Sequence, residues 1–163
     1  MIQRYNKKNQ WLSSSIVDLT TKYPNDFYIT KNNIRHAVKD EKDLNILLNQ
    51  STDAYYSENN DDIDGMVLVW KSVINDSKRY YVKLVASSKA VAKKLLTVLV
   101  WNSDKDLWIK IDKQSPYLSL FLYNKIIKFD FYGDRGSQLL LHRKRTRTIM
   151  VNQRDKSDDN SRD

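Results

Sequence analysis

The sequence has no cysteine, three glycines, two prolines and two histidines in 163 residues. Without cysteine there are no disulfides, no thiolate metal ligands and no thiol nucleophile. Three glycines cannot supply the phosphate-cradling loops of P-loop, kinase or dinucleotide-binding enzymes, and no Gly-x-Ser-x-Gly elbow occurs. The shortage of glycine and proline also excludes collagen-like and low-complexity architectures. His36 and His142 stand far apart and no His-Glu-x-x-His spacing exists, so no metal is expected. Asn60-x-Asp62-x-Asp64-Gly65 begins like a calcium loop. Its twelfth position is Lys71, where a bidentate Glu is required, so the segment reads as an acidic solvated loop. No apolar run reaches the roughly 18 residues that span a bilayer. The opening MIQRYNKKNQW lacks the apolar segment of a secretion signal. The expectation is a cytoplasmic protein with no membrane partner.

What is present is a core and an excess of positive charge. Hydrophobic residues make up 40% of the chain and charged residues 29%, enough apolar matter for one folded domain. Lys and Arg number 28 against 20 Asp and Glu, a net charge of +8 that favours anionic partners: nucleic acid, a phosphate-bearing cofactor or an acidic protein.

Periodicity divides the chain into alternating units. Trp11, Leu12, Ile16, Val17, Leu19 and Tyr23 recur at helical spacing, with Ser13, Ser14 or Ser15 as caps. Tyr23-Pro24-Asn25 ends that helix, and 26–30 is extended. Residues 33–39 alternate weakly as a strand. Asp40 caps a helix from Glu41 to about Gln50, with Leu44, Leu47 and Leu48 on its apolar face. Residues 51–65 are polar and acidic and read as an exposed loop, or an irregular helix ended by Gly65. Met66–Trp70 is a strand covered on both faces, and it forms a hairpin with Arg79–Val85 through a turn at 74–78. Ser87 or Ser88 caps a helix to about Trp101, with Val91, Leu95, Val98 and Leu99 inward. Then follow a strand at 107–111, a helix from Ser115-Pro116 to about Asn124, a strand at 127–131, a turn at Gly133-Asp134-Arg135-Gly136, and a last strand at 138–143. The order predicts an α/β domain with a mixed, mostly antiparallel sheet flanked by helices.

This order resembles the GNAT superfamily of N-acetyltransferases over roughly residues 33–144. Ile34-Arg35-His36-Ala37 followed by Asp40 is similar to the family's opening strand and helix. Tyr80–Val85 leading into Ser88–Trp101 is similar to the strand and helix that bind coenzyme A pyrophosphate. The ending FYGDRGSQLLLHRK resembles GNAT-like proteins of tailed bacteriophages. On this reading residues 1–32 are an N-terminal helical extension and 145–163 a flexible basic tail.

The resemblance implies acetyl-CoA as cofactor, with pyrophosphate held at Ser87, Ser88, Lys89 and Ala90, and Tyr123 as the acid that protonates the departing thiolate. The acceptor amine stays unidentified. The chain departs from the pattern in three places: Val85–Ala92 holds no glycine, Tyr123 is one residue out of register, and one strand is missing before Met66. These departures imply a degenerate relative in which catalysis can be lost. The alternative is a non-enzymatic module binding nucleic acid or a host protein through Arg143, Lys144, Arg145 and Arg147, with Tyr80, Tyr81, Trp108 and Tyr132 as stacking surfaces.

Overall fold

The computed structural model describes residues 1–145, and Arg147 with the rest of the C-terminal run lies outside them. In chain order the elements are β1 (Ile2–Arg4), α1 (Ser13–Lys22), β2 (Tyr28–Lys31), β3 (Ile34–Ala37), α2 (Glu41–Asn49), β4 (Ser51–Asn59), β5 (Asp62–Ile74), β6 (Ser77–Ala86), α3 (Lys89–Asn102), β7 (Leu107–Asp112), α4 (Leu118–Tyr123), β8 (Asp130–Arg135) and β9 (Gln138–Arg143). A 3₁₀ turn, Lys7–Leu12, leads into α1.

Seven strands form one sheet in the order β1-β4-β5-β6-β7-β9-β8, and β2 and β3 form a separate hairpin. Every pairing in the main sheet is antiparallel except β6 with β7. That parallel pair is registered only at Tyr80↔Leu107 and Tyr81↔Trp108. Beyond those residues the two strands part, which opens a split in the middle of the sheet.

Three hairpins turn through residues with left-handed backbone: Asn32-Asn33, Asn60-Asp61 and Asn75-Asp76, with φ between 51° and 69°. Asn and Asp tolerate this conformation because their short polar side chains bond locally. A chain with three glycines thus builds three of its hairpin turns from Asn and Asp pairs and keeps Gly136, at φ 80°, for the turn between β8 and β9. Gly65 serves another purpose. A Cβ there would stand 2.7 Å from Leu95 Cδ1 and Val91 Cγ1, so its bareness lets α3 lie directly on β5.

Alternation along the strands sends side chains to two cores. Val67, Val69, Val82 and Leu84 meet Leu95, Leu96 and Leu99 of α3, together with Ile109, Phe121 and Phe129. Met66, Leu68 and Val85 point the other way, toward Ile16 and Leu19 of α1 and Leu44 and Leu47 of α2. The α3–α4 side covers the sheet from β4 to β9. The α1–α2 side covers β4 to β6; beyond it Leu140 is buried beside the exposed Lys110 and Asp112.

Several expectations need correction. Residues 51–65 are not an exposed loop: Ser51–Asn59 is a strand in which Ala54, Tyr55, Tyr56 and Ser57 are buried. It is the strand that the sequence reading found missing. Its polar residues conceal it because they lie at its ends, while both faces of its middle are covered. The N-terminal extension, Met1–Asn32, packs on the domain. β1 pairs with β4, and α1 buries Ile16 and Leu19 in the core. Ile34–Ala37 pairs only with β2, is largely exposed, and does not open the main sheet. The helix placed at 115–124 starts at Leu118, and the strand placed at 127–131 starts at Asp130.

Two caps form as the sequence indicates. The Asp40 side chain accepts from Asp43 N at 2.8 Å, and Ser88 Oγ accepts from Val91 N at 3.2 Å. No helix among the described residues is long and apolar enough to cross a membrane.

Candidate functional site

Two cavities meet at the split. The first, about 280 Å³, lies between the parted strands. Leu84, Ile109 and Ile111 line it with Tyr117 and Phe121, and Asn25 and Asp26 close one side. The second, about 470 Å³, lies where the α1–α2 cover ends. Tyr28, Ile29, Thr30 and Arg35 of the β2–β3 hairpin, Ile46, Leu47 and Gln50 at the end of α2, and Trp70, Tyr81 and Lys83 of the sheet line it. Asp26 and Lys110 border both cavities.

Local chemistry explains how Asp26 gets there. Pro24 stops α1, and Asn25 folds back so that its side-chain amide donates to Thr20 O at 2.5 Å while its Oδ1 accepts from Phe27 N at 2.9 Å. This clamp lays the segment along the open edge of β6. Asn25 forms a bridge with Val85, and Asp26 N donates to Leu84 O at 2.9 Å. Phe27, fully buried, anchors the other end. An unpaired strand edge holds backbone groups that need partners, and this segment supplies one. The Tyr117 hydroxyl supplies another by donating to Ala86 O at 2.8 Å.

The Asp26 carboxyl is 22% exposed. Burial lifts its pKa from the ordinary 3.8 to about 6, against the pull of Lys83 and Arg35, with Asp112 adding to the rise and Lys110 opposing it. Burial pushes the Lys83 amine down, with Asp26 opposing. Arg35 Nη2 donates to Asp26 Oδ1 at 3.3 Å. The cations of the cleft lie on aromatic rings: Arg35 3.9 Å from the centre of Tyr28, Lys83 5.4 Å from Trp70, and Lys110 5.3 Å from Tyr81. A carboxylate whose pKa is raised to about 6, set between two cavities, is placed to accept a proton at physiological pH.

The wall opposite is held by a second carboxylate. Asp43 on α2 accepts from Lys31 Nζ at 2.6 Å and from Lys39 N at 3.2 Å, which ties the β2–β3 hairpin to α2. The Lys31 hydrogen bond is the main cause that holds its carboxyl below the ordinary range, against burial.

The residues singled out for pyrophosphate sit at the start of α3, as the sequence placed them. Ser88 is committed to its cap. Ser87 N donates to Asp64 O, and Ser87 lines a groove beside α1 rather than either cavity at the split. Lys89 and Ala90 are exposed, and their amides, the first two of the helix, make no hydrogen bond to the described residues. This turn follows directly on Ala86, whose carbonyl Tyr117 holds beside the 280 Å³ cavity. Tyr123 is 79% exposed and lines neither cavity. Tyr117, six residues earlier, lines the smaller cavity.

The described part of the basic run, Arg143, Lys144 and Arg145, lines one small groove with Lys105. Arg143 is half-buried, and burial lowers its pKa. Lys144 is exposed, and Arg145 N donates to Asp106 Oδ1 at 2.9 Å. Of the aromatics, Trp108 is stacked between its own neighbours, with the Arg79 guanidinium 4.0 Å and the His142 ring 4.2 Å from its centre and Tyr132 edge-on at 4.7 Å. Tyr80 packs against the α3 core. No cluster of metal-ligating side chains occurs among the described residues.

The sequence offered no sign of Asp26. It belongs to no motif, and its surroundings come from Lys83, Arg35 and the split, all distant in sequence. The faint signal is a carboxylate between a Pro-Asn turn and a buried Phe.

No family model matches the sequence, and no curated protein matches it. Solved structures do match the fold. Aminoglycoside 6'-acetyltransferase type Ii superposes with a TM-score of 0.64 at 12% identity, covering 90% of this chain and 97% of that one. The ribosomal-protein-alanine N-acetyltransferase of Brucella melitensis gives 0.63 at 12%, covering 88% and 99%. The PaiA N-acetyltransferase of Thermoplasma acidophilum, in complex with coenzyme A, gives 0.59 at 11%, covering 88% and 98%. The chain has the fold of the GNAT acetyltransferases.

Proposed function

We propose that this chain is an acyl-CoA-dependent N-acyltransferase that brings a thioester and an amine together across the split between β6 and β7. The observation that carries the reading is that Asp26 borders both cavities and titrates near pH 6. A site for acyl transfer needs a slot for the donor, a separate opening for the acceptor, and a base where they meet.

The residues fit coenzyme A in kind. The 280 Å³ slot is walled by Leu84, Ile109, Ile111 and Phe121 and suits the thin thioester arm. The start of α3 offers an anion Lys89 and two amides that make no hydrogen bond to the described residues, in place of a glycine loop. When bound, the thioester supplies the electrophilic carbonyl. The amine enters through the larger cleft and its nitrogen bonds to that carbon as the carbon–sulfur bond breaks. The Asp26 carboxylate takes the proton that the amine gives up. Lys83 and Arg35 keep enough of Asp26 ionised at neutral pH for that task. Orientation of the two reactants supplies much of the rate. Tyr123 has no part in this scheme.

The test is the thermal midpoint with and without saturating acetyl-CoA, at two salt concentrations. A ligand at about 100 times its Kd adds roughly 2.7 kcal/mol, which for a chain of this size is a rise of about 5–10 °C. A rise that persists at high salt supports the reading. A well-folded protein whose midpoint does not move with millimolar acetyl-CoA contradicts it.

A further inference from the structure

The larger cleft carries more positive charge than it balances. Arg35, Lys83 and Lys110 line it, and Asp26 is the one carboxylate in its wall. Asp26 pairs with Arg35. Lys83 and Lys110 have no carboxylate within 4 Å among the described residues, and their neighbours on this face are Trp70 and Tyr81. Lys83 is half-buried. Burying a cation is costly, which bears on Lys83; Lys110 stands beside it, exposed, and the concavity they share offers the two only Asp26 as a carboxylate among the described residues.

We propose that the acceptor is an amine that also bears an anionic group, a carboxylate or a phosphate monoester, held by Lys83 and Lys110 while its nitrogen faces Asp26. The identity of the attacked nitrogen rests on the acyl-transfer reading; the anion site does not. The aromatic and aliphatic wall of Trp70, Tyr81, Ile46 and Ile74 accommodates an apolar body beside the anion. A polyamine meets only like charge at Lys83 and Lys110. An anion there also offsets the burial that weakens Lys83.

Calorimetry on the full chain without acetyl-CoA tests this with paired probes. Phenylalanine is set against phenylalaninamide, O-phosphoethanolamine against ethanolamine, and spermidine stands as the polycation. The anionic member of at least one pair binds at least tenfold more tightly than the partner that lacks the anionic group and than spermidine. The pair showing the preference distinguishes carboxylate from phosphate. Lys83→Gln and Lys110→Gln each weaken the preferred anion by about tenfold, the worth of one charge-assisted hydrogen bond, and weaken it more than they weaken the partner that lacks the anionic group. Circular dichroism confirms that both variants fold.

The proposal is overturned if amide, ethanolamine or spermidine binds as tightly as the anions. It is equally overturned if no probe binds, or if both lysine variants bind like the wild type. Anion-selective binding without an acetyl-CoA midpoint shift would retain the anion site and reject acyl transfer. A midpoint shift without anion selectivity would do the reverse.

Discussion

The two faces of the sheet are built to opposite rules. On the α3–α4 face, β4 to β9 are sealed under Leu95, Leu96, Leu99, Phe121 and Phe129, all 2% exposed or less. On the α1–α2 face the apolar cover by the helices stops at β6, and the strands beyond it present Trp108, Lys110, Asp112 and His142 around one buried leucine, Leu140. The sealed face gains the free energy of burial. The half-open face gives some of that up and obtains a cleft, three cations on aromatic rings, and a carboxylate whose charge is disfavoured by its own surroundings. Stability is concentrated on one face and chemistry on the other.

That division is open to attack in order of effect. Leu95→Ala, under α3, should cost the most, about 2–5 kcal/mol by denaturant melt, because Gly65 and the helix backbone cannot close over the cavity. It should leave binding in the cleft unchanged.

Asp26→Asn, on the other face, should have the opposite sign. A carboxyl whose folded pKa lies at about 6, above its unfolded value, contributes stability below pH 4 that is lost as pH rises through 6. The variant should therefore be more stable than the wild type by about 1–3 kcal/mol at pH 8 and equal to it below pH 4, read from melts across that range.

Asp43→Asn should be the mildest, about 1–2 kcal/mol less stable at pH 7, since its partner Lys31 is 46% exposed. The Asp43 carboxyl is held below the ordinary range, so its contribution is present above that range and lost as pH falls through it. The deficit of the variant should accordingly shrink in acid. Asp26 lines the cleft and Asp43 ties its hairpin wall to α2, and their pH responses should run in opposite directions.

The sealed face was the legible one. Val67 to Val69, Leu84, and the Leu95–Leu99 spacing announce strands and a helix because burial on both sides demands unbroken apolar runs. Asp40 and Ser88 announce helix starts because capping needs a side-chain acceptor at one position. β4 was hidden because Ser51, Thr52, Asp53, Glu58 and Asn59 frame its buried centre in polar residues. β1 was hidden because three residues carry no period. Ile34–Ala37 alternates like a strand of the main sheet, yet the local pattern cannot say which strand it will pair with. The site was the least legible part. Ser88 and Lys89 follow from the helix start, but Asp26 becomes distinctive only when the open edge of β6 binds its backbone and the chain folds Lys83 and Arg35 around it.

The most direct measurement is the rate of acetyl-CoA consumption with an amine acceptor, for wild type and Asp26→Asn, from pH 5 to pH 9. The account predicts that wild-type kcat/KM rises with pH through a midpoint near 6. It predicts that Asp26→Asn is at least about a hundredfold slower at pH 8 and lacks that limb. An Asp26→Asn variant with wild-type rate and an unchanged pH profile would contradict it.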